Sequence, residues 1–215
     1  MRPTLLDEAV ALYAAPLVGA AEGCDLLILF FSNPDQKIAA FGSSYMNMII
    51  RLARPADAVA LPAIERSAAA LFRLDPQLAW LADAEVAEVA QHLRAIEEAH
   101  VWVAETTELA GFLRAVEIDE HLHIEELSVS QAFQGQGIGR RLVSAAIEHA
   151  RALRLNAVTL TTFRDLPWNA PFYQRMGFIE LIPSKTDHHL REALQAEITH
   201  GFPPERRCAM RLLLI

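Results

Sequence analysis

Apolar residues between 138 and 153 recur at three- and four-residue steps: Ile138, Leu142, Ala145, Ala146, Ala150 and Leu153. That period predicts an amphipathic helix over 138–154. The pattern changes on either side of it. Residues 123–130 read His-Ile-Glu-Glu-Leu-Ser-Val-Ser, with apolar or β-branched side chains at 124, 127 and 129. Residues 157–163 read Ala-Val-Thr-Leu-Thr-Thr-Phe. Both runs predict strands. Strand, loop, helix and strand in that order predict a right-handed crossover between two parallel strands.

The rest of the chain extends this α/β pattern. Residues 49–55 predict a first strand ended by Pro55, and residues 57–73 an alanine-rich helix with Asp57 as its cap and a kink at Pro62. A second helix is expected over 83–98, a strand pair over 101–105 and 109–117, a strand from Phe178 to Ile182, a helix over 187–200 and a closing strand over 208–214. Residues 1–47 stand apart as an amino-terminal extension before a domain at 48–215. They predict either a helix over 5–17 and a strand over 26–31 packed on the domain, or a poorly ordered leader from a start codon placed too early. Met46 and Met48, directly before the first domain strand, favour the leader.

The loop that enters the 138–154 helix carries the chemistry. Residues 134–139 are Gln-Gly-Gln-Gly-Ile-Gly, followed by Arg140 and Arg141. Glycine tolerates positive φ and keeps side chains away from a ligand. The first helical turn has unpaired N–H groups and the positive end of the helix dipole. A strand–loop–helix junction of this kind suits a pyrophosphate. A Rossmann fingerprint would need glycine where Arg140 stands, and a P-loop would need Lys followed by Ser or Thr.

What remains, Gln134-x-x-Gly137-x-Gly139, resembles the acetyl-CoA loop of the GNAT acetyltransferase superfamily. A second block, Asn169-Ala-Pro-Phe-Tyr173-Gln-Arg-Met-Gly177-Phe178, is similar to the helix and strand near the carboxyl side of that domain. Asn169 is a good N-cap, Pro171 fits the first turn, and Gly177 can take a left-handed stop. The predicted element order βααβββαβαβ, with an extra helix before the last strand, matches the superfamily's mixed, mostly antiparallel sheet flanked by helices. His-Leu-His before the 123–130 strand, with Pro-Phe-Tyr-Gln-Arg, resembles arylalkylamine N-acetyltransferases, although here the histidines fall two residues earlier.

The resemblance implies a site and a reaction. Backbone groups of Leu127, Ser128 and Val129 are expected to pair with the pantetheine arm of acetyl-CoA, and an N–H there to serve the acyl oxygen. Amides of Gln134, Gly135, Gln136, Gly137, Ile138, Gly139 and Arg140 are expected to hold the pyrophosphate. Asn169, Phe172 and Tyr173 face the thioester, with the Tyr173 hydroxyl as proton donor to the leaving thiolate. The acceptor is a primary amine of a small molecule or peptide, whose pKa near 10.4 requires a base. Glu125 and Glu126 are the candidates, with His123 or a water chain behind them. Strict strand alternation puts Glu125 on the face of His121 and His123, and Glu126 opposite, unless a bulge intervenes.

Three further readings stay open: a non-catalytic CoA-binding sensor on the same fold, transfer to another nucleophile, and use of a longer acyl group. His121, His123 and Glu125 also have the spacing of zinc ligands on one strand face, with His188 or His189 as a possible fourth, yet no metal is expected.

Charge and cysteine count narrow the classes. A net charge of −8 disfavours nucleic acid. Local charge decides CoA binding instead, and Arg140, Arg141, Arg164 and Arg175 are expected around the motifs. Two cysteines, Cys24 and Cys208, argue against a disulfide framework and for a reducing, cytoplasmic setting. No apolar run approaches the ~20 residues of a membrane span. A homodimer is possible on these grounds. Trp168 and Phe163 are candidates to line an aromatic-tolerant acceptor pocket, with core packing as the alternative.

Overall fold

The computed structural model describes residues 48–214. The expected helix over 5–17 and strand over 26–31, and Cys24, lie outside them.

Seven strands form one sheet: β1 (Ile49–Leu52), β2 (His100–Glu105), β3 (Leu109–Ile118), β4 (His121–Val129), β5 (Ala157–Phe163), β6 (Ile179–Leu181) and β7 (Arg207–Leu213). Their order is β1-β2-β3-β4-β5-β7-β6. Only β4 and β5 run parallel; every other neighbouring pair is antiparallel. The fold is therefore mixed α/β with a mostly antiparallel sheet, as the resemblance implied.

Helices cover both faces of the sheet. Helix α3 (Ile138–Ala152) lays Ile138, Leu142, Val143, Ala146 and Ala150 into a core shared with Trp102, Leu113, Ala115, Leu122 and Ile124. Helices α1 (Leu61–Ala69) and α2 (Val89–Glu98) pack against the opposite face, where Leu61 and Ile64 meet Val101, Val103 and Phe112. Helix α4 (Ala170–Gln174) follows β5, and α5 (His188–Thr199) precedes β7.

Two predicted helices are shorter than expected. The 57–73 segment splits into a 3-10 turn (Pro55–Val59), α1, and a second 3-10 turn (Ala70–Leu74). Pro62 sits in the first turn of α1, where its missing N–H leaves no bond unmade, so it begins a helix rather than kinking one. Asp57 accepts the Arg54 backbone N–H at 2.7 Å and pairs with Arg51 at 2.6 Å. The 83–98 helix begins only at Val89, after a 3-10 turn at Ala79–Asp83. Glu88 and Gln91 cap its start reciprocally.

Candidate active site

The parallel pair at the centre of the sheet comes apart. Pairing of β4 with β5 runs from His121↔Ala157 to Ile124↔Leu160 and stops, although the strands continue to Val129 and Phe163. Beyond that point β4 stays with β3 and β5 stays with β7. A wedge opens between them, and its β4 edge presents backbone groups of Leu127 and the Val129 N–H with no strand opposite among the described residues. Unpaired backbone groups of this kind want a partner. A narrow ligand carrying amides can supply one.

Where the wedge begins, β4 is bulged. Ala115 pairs with Ile124 while Arg114 pairs with Glu126, so Glu125 has no residue opposite it on β3. Such an extra residue re-aims the side chains that follow. Tracing the register gives Leu122, Ile124, Leu127 and Val129 on the α3 face, and His121, His123, Glu126 and Ser128 on the other. The expected faces of the two glutamates are thus corrected: Glu126, not Glu125, shares a face with His123. Glu125 lies 3.0 Å from Arg114 and is partly exposed. Glu126 is buried and accepts a hydrogen bond from Ser128 Oγ at 3.0 Å.

The glycine loop leaves the end of β4. Ser130 N–H donates to Ala110 O, and the Gln134 side-chain amide reaches back to Val129 O at 2.9 Å, so Gln134 braces the turn. Ser67 Oγ of α1 accepts the Gln131 N–H at 3.0 Å. This brace joins residues 64 apart in sequence, and no local signal foretold it. Gly135 and Gly137 take φ of 75° and 78°, and Gly137 is the N-cap of α3. The first helical bond is Arg141 N–H to Gly137 O. From Gly135 to Arg140, the backbone amides donate to no acceptor among the described residues. Gly135, Gln136, Gly137 and Arg140 are exposed. A row of amides at a helix start makes an anion cradle.

The basic residues are less concentrated there than expected. Arg140 is exposed at the mouth, and Arg141 donates to Met48 O at 2.8 Å. Arg164 turns away, bound to Glu180 at 2.9 Å and to Glu205 O.

Across the wedge, Asn169 and Tyr173 mark the β5 side. Asn169 occupies the N-cap position of α4 without capping it; its Nδ2 donates instead to Thr162 Oγ1 at 2.7 Å. Thr162 lies beyond Leu160, in the part of β5 that has left β4. Tyr173 is fully buried between Phe172 and Phe178, with ring centroids at 4.9 and 5.5 Å. Its hydroxyl finds no hydrogen-bond partner among the described residues. An orphaned phenol in a core costs stability, and its persistence calls for a reason. Burial pushes its pKa well above the ordinary value, so it keeps its proton. Trp168 and Phe163 are buried in the core cluster.

On the Glu126 face, α5 delivers a residue whose position the sequence left open. His189 lies near His121 and His123, with ring centroids 5.6 and 5.5 Å away, tilted to the first and edge-on to the second, while His188 points to Glu192 at 3.2 Å. His123 Nδ1 and Thr159 Oγ1 are 3.0 Å apart, and Thr159 Oγ1 lies 3.3 Å from His189 Nε2. Burial, with help from the neighbouring imidazoles, lowers the His123 pKa to about 3. His121 and His189 are also lowered, chiefly by burial. His121, His123 and Glu125 do not gather into a metal-binding group. A shallow cleft of about 520 Å³ between α1 and the start of α2, lined by Pro62, Arg66 and Val86–Ala90, includes none of these residues.

The sequence profile of the Acetyltransferase (GNAT) family matches residues 66–178, more than half of the 215. The chain belongs to this family. Solved structures agree on the fold. Rv2747 from Mycobacterium tuberculosis, in complex with CoA and NLQ, is similar over 78% of this chain and 99% of its own, with 22% identity and a TM-score of 0.59. PaiA N-acetyltransferase from Thermoplasma acidophilum, in complex with coenzyme A, covers 79% of this chain and 100% of its own at 15% identity and TM-score 0.58. The Salmonella typhimurium protein yncA, solved with its cofactor acetyl-CoA, covers 78% and 94% at 20% identity and TM-score 0.55. The GNAT domain of this chain thus carries the split sheet and the glycine loop described above. No described helix is long and apolar enough to cross a membrane.

Proposed function

We propose that this GNAT protein is an acetyl-CoA-dependent N-acetyltransferase that acetylates a primary amine of a small molecule or peptide by direct attack in a ternary complex. The observation that carries the proposal is the run of unpartnered amides from Gly135 to Arg140, opening beside the parted edges of β4 and β5. The residues present fit acetyl-CoA: the amides and Arg140 for the diphosphate, the Leu127–Val129 edge for the pantetheine amides, and the Asn169–Tyr173 turn, with Phe172 behind it, for the thioester. When bound, acetyl-CoA supplies the activated acyl group.

Acid and base sit on opposite faces of the sheet. Glu126 shares its face with His123 and Ser128, whereas Tyr173 follows Asn169, whose amide is tied to Thr162 on the α3 face of β5. Glu126 takes the proton of the incoming ammonium, freeing the nitrogen lone pair for the acyl carbon. A backbone N–H of the free β4 edge stabilises the charge that develops on the acyl oxygen. As the C–S bond breaks, Tyr173 gives its proton to the departing sulfur, while the acylated nitrogen releases its second proton to water, from which the Tyr173 phenol is restored. A covalent acyl-enzyme needs an activated Cys or Ser, and the sequence carries no motif for one; burial pushes the Cys208 thiol up to about 12.

The test is twofold. Calorimetry on the folded chain should register acetyl-CoA, and free thiol should appear when amines are supplied with it. Binding without thiol release across a broad amine and peptide panel would instead favour a CoA-binding sensor. No binding at all would end the proposal.

A further inference from the structure

A second cluster of ligating side chains lies on the α3 face of the sheet, far from the wedge. His100 opens β2, Glu117 stands near the end of β3, and His149 lies in the last turn of α3. By register, His100 pairs with Ala115, so His100 and Glu117 share the face that α3 covers. His100 Nε2 and Glu117 Oε1 are 2.6 Å apart, and the His100 and His149 ring centroids are 4.4 Å apart. One ligating atom from each of the three residues lies within 4.8 Å of the other two.

His149 Nε2 is buried and has no hydrogen-bond partner among the described residues. Its ring is held between His100 and the edge of Trp102, whose centroid is 5.3 Å away. An imidazole fixed in place with an idle nitrogen, facing a second imidazole and a carboxylate, is a donor set without an acceptor.

We propose that His100, Glu117 and His149 form a binding site for a divalent transition metal of the zinc type, three protein ligands with water in the fourth position. Two imidazoles and one carboxylate are the donors such ions prefer, and hard cations such as magnesium want oxygen alone. Tetrahedral bonds of roughly 2.1 Å place donors roughly 3.4 Å apart. Side-chain rotations of His100 and Glu117 cover the difference, because both are partly exposed, at 28% and 44%. The same exposure gives the ion a way in.

His149 is roughly 16 Å along the α3 axis from Ile138, so the ion takes no part in acyl transfer. Its effect is mechanical. It staples the carboxyl end of α3 to β2 and β3, and α3 is the helix whose first turn forms the anion cradle. The assignment is independent of the acetyltransferase proposal.

The test uses the full chain, stripped with a chelator and dialysed. Titration with zinc chloride should show one equivalent bound, and cobalt(II) should give the visible bands of a low-coordinate nitrogen–oxygen site. Zinc should also raise the melting temperature. Glu117→Gln, at an exposed position that leaves the core intact, and His149→Gln should each weaken zinc at least about 100-fold, since even outer partners of metal ligands cost 10–100-fold. Far-ultraviolet circular dichroism checks that both variants fold. His189→Gln should leave the affinity unchanged. Absence of stoichiometric binding overturns the assignment. So does unchanged affinity in Glu117→Gln and His149→Gln, or loss confined to His189→Gln, which would move the ion to the other histidine cluster.

Discussion

The side-chain amide of Asn169 donates to Thr162 Oγ1 at 2.7 Å, both groups buried, and this bond ties the start of α4 to the segment of β5 that has turned away from β4. Tyr173 lies one helical turn on, so the bond fixes where its hydroxyl sits. Asn169→Ala removes a buried donor and leaves Thr162 Oγ1 unsatisfied. The expected cost is about 1–3 kcal/mol of stability, together with a fall in kcat. Thr162→Val should act in the same direction. Urea denaturation and steady-state rates on both variants provide the check, and wild-type values in both would show that the bond positions nothing.

Tyr173→Phe separates function from stability. The ring keeps its contacts with Phe172 and Phe178, and only a hydroxyl without a partner among the described residues is lost. Folding stability should therefore hold or rise, because an unsatisfied buried polar atom disappears. The rate should fall roughly 100-fold or more if that hydroxyl is the proton donor. Acetyl-CoA affinity, set by the loop and the β4 edge, should not change. A variant as fast as the parent would strip Tyr173 of its role.

The bulge makes the two adjacent glutamates distinguishable. Glu126→Gln keeps the shape but removes the charge, and should lower kcat by roughly 100-fold. Glu125→Gln breaks only a partly exposed pair with Arg114. Pairs of that kind contribute about 1 kcal/mol or less, and the rate should stay close to wild type. The opposite ranking of the two variants would return the base to Glu125.

Why these glutamates were misassigned to faces is a matter of range. The glycine loop, α3 and the Asn169–Gly177 turn are written in local spacing, so the fold and the anion cradle were legible from consecutive residues. The bulge is not local: it exists because Ala115 and Arg114 on β3 skip Glu125, and no reading of β4 alone reveals that register. The approach of His189 to His123 likewise depends on how α5 lies across β5. Ser67 bracing Gln131 and Thr162 holding Asn169 are invisible for the same reason. Pro62 is ambiguous in the same way: a proline at that point suits a kink or a helix start, and the preceding 3-10 turn decides between them.

The buried imidazoles give the fold a specific sensitivity to acid. The His123 pKa falls to about 3 in the folded chain, and those of His121 and His189 are lowered too, chiefly by burial. In an unfolded chain each titrates near 6.5. Between those values the unfolded state binds more protons, so stability rises with pH. The contribution of His123 is complete above about pH 6.5 and is lost progressively as the pH falls toward 3. Its slope is at most about 1.4 kcal/mol per pH unit. The carboxylates act in a lower window. Asp187, held to about 2 against burial by hydrogen bonds from Ser184 and by Arg211, loses its contribution only below its ordinary value of 3.8. Urea midpoints measured from pH 7 to 4.5 therefore isolate the histidines. The wild type should lose stability steadily across that range, and His123→Gln should flatten the curve, even if the variant is less stable at pH 7. Parallel curves for the two proteins would show that His123 is not buried in its neutral form.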